Sequence, residues 1–140
     1  MSQEVLQMGK TRSELRETAM VILYQIDILK SQKIEYKIED QINENLDIDN
    51  EFVRNIVYGV ITHQEEIDSL ANKYMKNWTI DRIEKTGAAI LRIGIYEILF
   101  EEDTPNIVAI NEAIELAKKY SDDNVRKIIN AVLDKINNEQ

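Results

Sequence analysis

Residues that break helices are scarce in this chain: four glycines and one proline stand among 140 residues. Between the polar breaks, apolar side chains recur at three- and four-residue spacing, the period of an amphipathic helix rather than of a strand. The sequence therefore predicts an all-α fold, a compact bundle of about seven helices in two packed subgroups. Its hydrophobic content, 44%, suffices for one continuous core without disulfide or metal staples. One domain over residues 1–140 is expected, with residues 1–10 as the candidates for disorder.

Thr11 and Glu14 have capping-box spacing, so the first helix is expected to start at Thr11 and end near Lys30. Its core face is Leu15, Ala19, Ile22, Ile26 and Leu29. A shorter helix carries Ile38, Ile42 and Leu46, and the polar run 47–50 supplies the next cap. Phe52, Val53, Ile56, Val57 and Val60 mark a third helix. A fourth begins at Glu65 after little or no loop, buries Ile67, Leu70, Ala71 and Tyr74, and breaks at Asn77.

Residues 88–100 are apolar on nearly every side, interrupted chiefly by Arg92 and Glu97, and read as the central helix. Gly87 and Gly94 would let neighbouring helices approach it closely, at a propensity cost of about 1 kcal/mol each. Thr104 is placed as the N-cap of the next helix with Pro105 at its first position, followed by a core face of Ile110, Ala113, Ile114 and Ala117. Ser121 is placed as the cap of the last helix, whose Val125, Ile128, Ile129, Val132, Leu133 and Ile136 keep helical spacing.

The net charge of -9 argues against a protein that coats nucleic acid indiscriminately, which needs a dense excess of Lys and Arg. The charge is uneven: +1 over residues 1–33, -6 over 34–76 and -4 over 77–140. An acidic body behind a nearly neutral front fits a basic partner on the body and phosphate at the front.

Catalysis has few candidates. Cysteine is absent, the single histidine is His63 at a helix junction, and no HExxH, GxSxG or GxxxxGK[ST] pattern occurs. The acidic run 47–51 lacks the glycine and ligand spacing of an EF-hand loop. No catalytic residue, metal or cofactor is assigned. No apolar run approaches the roughly 18 residues of a membrane span and no secretory signal is present, so a cytoplasmic location is expected.

One constellation stands apart. Arg12, Arg16, Met20 and Tyr24 follow each other at four-residue spacing and form a row along the first helix, with Lys10 extending it. Guanidinium groups contact phosphates and a tyrosine ring stacks on an unpaired base, a combination suited to single-stranded RNA. Glu14 and Glu17 add negative charge nearby. From the residues alone, solvated arginines or ion-pair partners fit this pattern slightly better.

The segment AAILRIGIYEILFEEDTPNIVAINEAIELAKKY, residues 88–120, resembles the hallmark of the NusB family. The resemblance continues in INAVLDKI (129–136), in KNWTIDR (76–82) and in RSELRETAMVILYQID of the first helix, and so covers nearly the whole chain. It implies an all-helical RNA-binding antitermination factor that binds the boxA element of leader RNA. The ribosomal protein NusE is its implied partner, and the pair loads onto RNA polymerase in ribosomal RNA operons. By motif position, it assigns Lys10, Arg12, Arg16 and Tyr24 to the RNA-binding edge. Asp81, Arg82 and Glu84, on the approach to the central helix, are assigned to the protein partner.

Three departures from the family pattern stand out. The N-terminal segment is poor in arginine, which predicts weak RNA affinity without the partner. Gly87 replaces a common acidic residue and puts one partner contact in question. Ala131 replaces a common glycine, with an expected effect on helix packing. The same fold also occurs fused to RNA cytosine methyltransferases, but a free-standing adaptor is expected here. A generic acidic protein-interaction bundle without RNA binding is the alternative, and self-association covering the RNA face is left open.

Overall fold

The structure, a computed structural model, describes residues 10–140; the expectation for residues 1–9 lies outside the described residues. Seven helices are present among them and no strand. They are α1 (Arg12–Ser31), α2 (Ile38–Asn45), α3 (Glu51–Thr62), α4 (Gln64–Tyr74), α5 (Lys85–Phe100), α6 (Asn106–Tyr120) and α7 (Asp123–Asn138).

Helix α5 is the axis of the molecule. Every residue from Gly87 to Ile98 is buried, Arg92 and Glu97 included, as the all-round apolar segment requires. Helices α1, α3, α4, α6 and α7 all pack on it. The helices before α5 form one subgroup and those after it the other, with α5 shared and α4 also touching α7.

Side-chain capping sets three of the seven helix starts. The Glu14 amide donates to Thr11 Oγ1 at 3.1 Å, the Val53 amide to Asn50 Oδ1 at 3.0 Å, and the Val125 amide to Asp122 Oδ1 at 2.9 Å. His63 closes α3 and opens α4, so no loop separates them. Asn77, where a break was expected, adopts φ 65°, a left-handed conformation that asparagine tolerates.

Two expected caps move by one residue. Pro105, with ψ 141°, is still extended and precedes the helix rather than occupying its first turn, while Thr104 is buried and does not cap. Ser121 instead ends α6, donating its amide to the Ala117 carbonyl at 2.8 Å, and Asp122 caps α7. A carboxylate at that position also complements the positive end of the helix dipole.

Gly87 and Gly94 do serve close packing: an added Cβ would lie 2.5 Å from Val125 Cγ1 and 2.9 Å from Leu133 Cδ1 respectively. Gly59 on α3 was not anticipated in this role, yet its added Cβ would lie 2.1 Å from Tyr96 Cε1. Tyr96 leans on Phe100, which in turn stacks on His63 at 4.0 Å between centroids. This aromatic tier locks α3 to α5. Ala131 is exposed on α7, so its effect is on helix propensity and not, as expected from the sequence, on packing.

Gly59→Ala should destabilise the protein by about 1–3 kcal/mol through overpacking against Tyr96, although alanine is the better helix former. Urea denaturation measures this, and an unchanged or raised midpoint would contradict the packing described.

Candidate functional site

The row Arg12, Arg16, Met20, Tyr24 does not stay on one face. Four residues turn an α-helix by about 40° more than a full circle, so three such steps carry the row roughly 120° around α1. Arg12 is exposed, Arg16 and Met20 are buried, and Tyr24 emerges again at 38% exposure. Tyr24 also lies about 18 Å further along the axis at 1.5 Å per residue. Lys10, just before the helix, is exposed.

The expectation of Arg16 as a free phosphate contact is corrected. Its Nε and Nη2 donate to the two carboxylate oxygens of Glu97 on α5, each at 2.8 Å, with the side chains only 4% and 1% exposed. Its Nη1 lies 3.9 Å from Glu112 on α6. Burial alone opposes the charge on Arg16, but the hydrogen bonds and charge of Glu97 outweigh it and raise the pKa. The guanidinium is thus fully committed inside the protein, tying α1 to α5.

That tie is reinforced on the outside. Ser13 donates to both oxygens of Glu112 at 2.8 Å, and Glu17 accepts from Lys119 at 2.7 Å and from the Tyr120 hydroxyl. These links span a groove of about 530 Å³ between α1 and α6. Glu14, Glu17, Glu112 and Glu115 line it against Lys118 and Lys119, and both lysines are paired with glutamates. Acid outweighs base there, so free phosphate-binding capacity lies elsewhere.

The start of α1 differs. Among the six arginines, Arg16, Arg54, Arg92 and Arg126 pair with carboxylates, whereas among the described residues no carboxylate pairs with Arg12 or Arg82. The Arg12 guanidinium instead sits over the ring of Phe52 on α3, 4.1 Å from its centroid. Phe52 is half-buried and also lies 5.2 Å from the Arg16 guanidinium. Sequence reasoning missed its part in the site, because a phenylalanine on an apolar stripe reads as core.

Arg82 lies at the other candidate surface. Residues 75–84 join α4 to α5, and Ile80 and Ile83 are buried beneath the connection. The Ile80 amide donates to Asn72 Oδ1 at 2.8 Å and the Arg82 amide to the Thr79 carbonyl at 2.9 Å. Those anchors leave Asp81, Arg82 and Glu84 exposed together, beside Trp78, which is 49% exposed and was not singled out from the sequence. Gly87 cannot join this surface, being buried against Val125.

Among the described residues no group of three or more His, Cys, Asp or Glu could hold a metal ion, and no helix is long and apolar enough to cross a membrane. His63 is engaged with Phe100 and lies 3.9 Å from Glu66.

Fold and surfaces together define an all-helical domain organised on one buried helix, with an unpaired arginine on each of two separate edges. The NusB family profile matches residues 13–138, and the chain belongs to the NusB family. It is 42% identical over 135 residues to the transcription antitermination protein NusB of Acetivibrio thermocellus, covering 92% of this chain and 88% of that one. The T. maritima NusB crystal form superposes with a TM-score of 0.83 at 31% identity, covering 94% and 93% of the two chains. NusB in a crystal structure of the antitermination factors NusB and NusE in complex with dsRNA gives 0.79 at 27% identity, covering 92% and 97%.

Glu97→Ala should cost about 3–5 kcal/mol, because it strands the Arg16 charge in the interior. Arg16→Met with Glu97→Leu should recover most of that loss. Chemical denaturation of the single and double variants checks both; a Glu97→Ala cost below about 1 kcal/mol would mean the pair is not buried as described.

Proposed function

We propose that this chain is an RNA-binding transcription antitermination factor that grips boxA-like leader RNA together with the small-subunit ribosomal protein NusE, within the RNA polymerase complex on ribosomal RNA operons. The observation that carries the reading is the Arg12 and Lys10 edge: exposed cations without recorded carboxylate partners on a protein whose net charge is -9. The ion-paired arginine that the sequence left open describes Arg16, whereas Arg12 is exposed and lies over the Phe52 ring. The names of the relatives support antitermination, and the structural relative solved with NusE and dsRNA supports those two ligand classes.

The action is binding, not turnover, and its compartment is the cytoplasm. Lys10 and Arg12 meet phosphate and base at the start of α1, and Tyr24 lies further along the same helix for a longer strand. Asp81, Arg82 and Glu84 meet the protein partner, with Trp78 as an apolar anchor beside them. An acidic body speeds encounter with a basic ribosomal protein. Because the RNA edge holds few cations, affinity for RNA depends on the partner's presence.

Titration with single-stranded boxA RNA, a scrambled strand and a duplex, each with and without NusE, should show preference for the boxA strand and tightening by NusE. Arg12→Ala should weaken binding and reduce the salt slope by about one. Equal affinity for boxA and scrambled RNA with NusE present would refute sequence-specific recognition and favour the generic bundle.

A further inference from the structure

Resting on the RNA-binding reading above, we infer that Arg12 and Phe52 together form a stacking subsite for one unpaired base of the bound strand. A guanidinium is a flat, delocalised plate that stacks on aromatic faces, unlike the compact ammonium of lysine. Here that plate is already laid 4.1 Å from the centroid of the Phe52 ring, with the Arg12 side chain exposed. The ring lies beneath the guanidinium carbon while the Arg12 side chain remains exposed. A base on the outer face completes a three-layer stack.

Two further observations make this a prepared plate rather than a passing surface contact. Phe52 is packed against the core at the first turn of α3, so the backing ring is fixed by the fold. Arg16, one turn along α1 from Arg12, lies 5.2 Å from the same ring and is itself pinned by Glu97. The register between α1 and α3 is thereby set, and with it the seat of Arg12. No recorded carboxylate competes for its edge N–H groups, which are left for a neighbouring phosphate.

The ligand chemistry is a single unpaired nucleobase, purine or pyrimidine, because stacking uses the π-face that every base possesses. Specificity at this position is for strandedness, not for base identity. A base held in a duplex is already stacked on both sides and cannot enter.

The test combines protein and RNA variants in the complex with NusE. Arg12→Lys keeps the charge and removes the plate, so affinity should fall about tenfold, the typical worth of one stacked base, with an unchanged salt slope. Replacing one particular nucleotide of the strand by an abasic residue should cost the wild type a similar factor and leave Arg12→Lys nearly unaffected. Phe52→Leu should lower affinity in parallel and Phe52→Tyr should retain it, each checked for intact thermal unfolding. Full affinity in Arg12→Lys, or a loss that persists against every abasic strand, would overturn the subsite while leaving boxA recognition standing. Absence of RNA binding by the wild type itself would overturn both.

Discussion

A guanidinium and a carboxylate, both closed off from water, meet between α1 and α5 and fix how the amino-terminal half sits on the central helix. Neither charge could remain there alone, since an unpaired buried ion costs several kcal/mol out of the roughly 5–15 kcal/mol that holds a domain together. The pair therefore selects one docking of α1, and everything exposed at the start of that helix inherits its position. Ser13 and Glu17 extend the same constraint to α6. A second buried arginine repeats the device at the other end of α1: Arg92 on α5 binds Asp68 of α4 at 2.8 and 3.0 Å and lies 3.6 Å from Asp27 of α1.

The distribution of arginines then separates architecture from function. Three of the four with carboxylate partners hold elements together: Arg16 and Arg92 at the core, and Arg54 between α2 and α3, where it contacts both oxygens of Glu39 at 2.8 Å. That contact, with the Tyr58 hydroxyl, holds the Glu39 carboxyl down at about 2. Arg12 and Arg82 are different, each exposed and, among the described residues, outside any ion pair. In a strongly acidic protein, a guanidinium left without a recorded carboxylate is informative about a missing partner, and the two edges lie on different parts of the surface. Under the proposed assignment, the RNA strand and the polypeptide take separate edges.

Much of this was legible from the residues. Apolar spacing located all seven helices, and the continuous run from Ala88 to Phe100 identified the axis, because a helix surrounded on all sides must be apolar on all sides. The family resemblance supplied the expected ligands. What periodicity could not supply was the partner of Arg16, which lies 81 residues away in sequence. A row at four-residue spacing was expected to remain one edge, but helical drift takes its middle into the core. Phe52 was hidden for the opposite reason: a side chain that serves both packing and surface chemistry carries only the packing signal. The cap shift at Ser121 reflects competition with the adjacent Asp122, which local spacing does not resolve.

Arginine side-chain NMR, following the Nε–H signals of the free protein and of its complex with RNA and NusE, reads the central claim most directly. The Arg16 Nε–H should be protected from solvent exchange and should stay in place when RNA is added, while the Arg12 signal moves. An Arg16 signal that exchanges as fast as an exposed arginine, or that shifts on RNA binding while Arg12 does not, would contradict the division between a buried arginine that positions and an exposed one that binds.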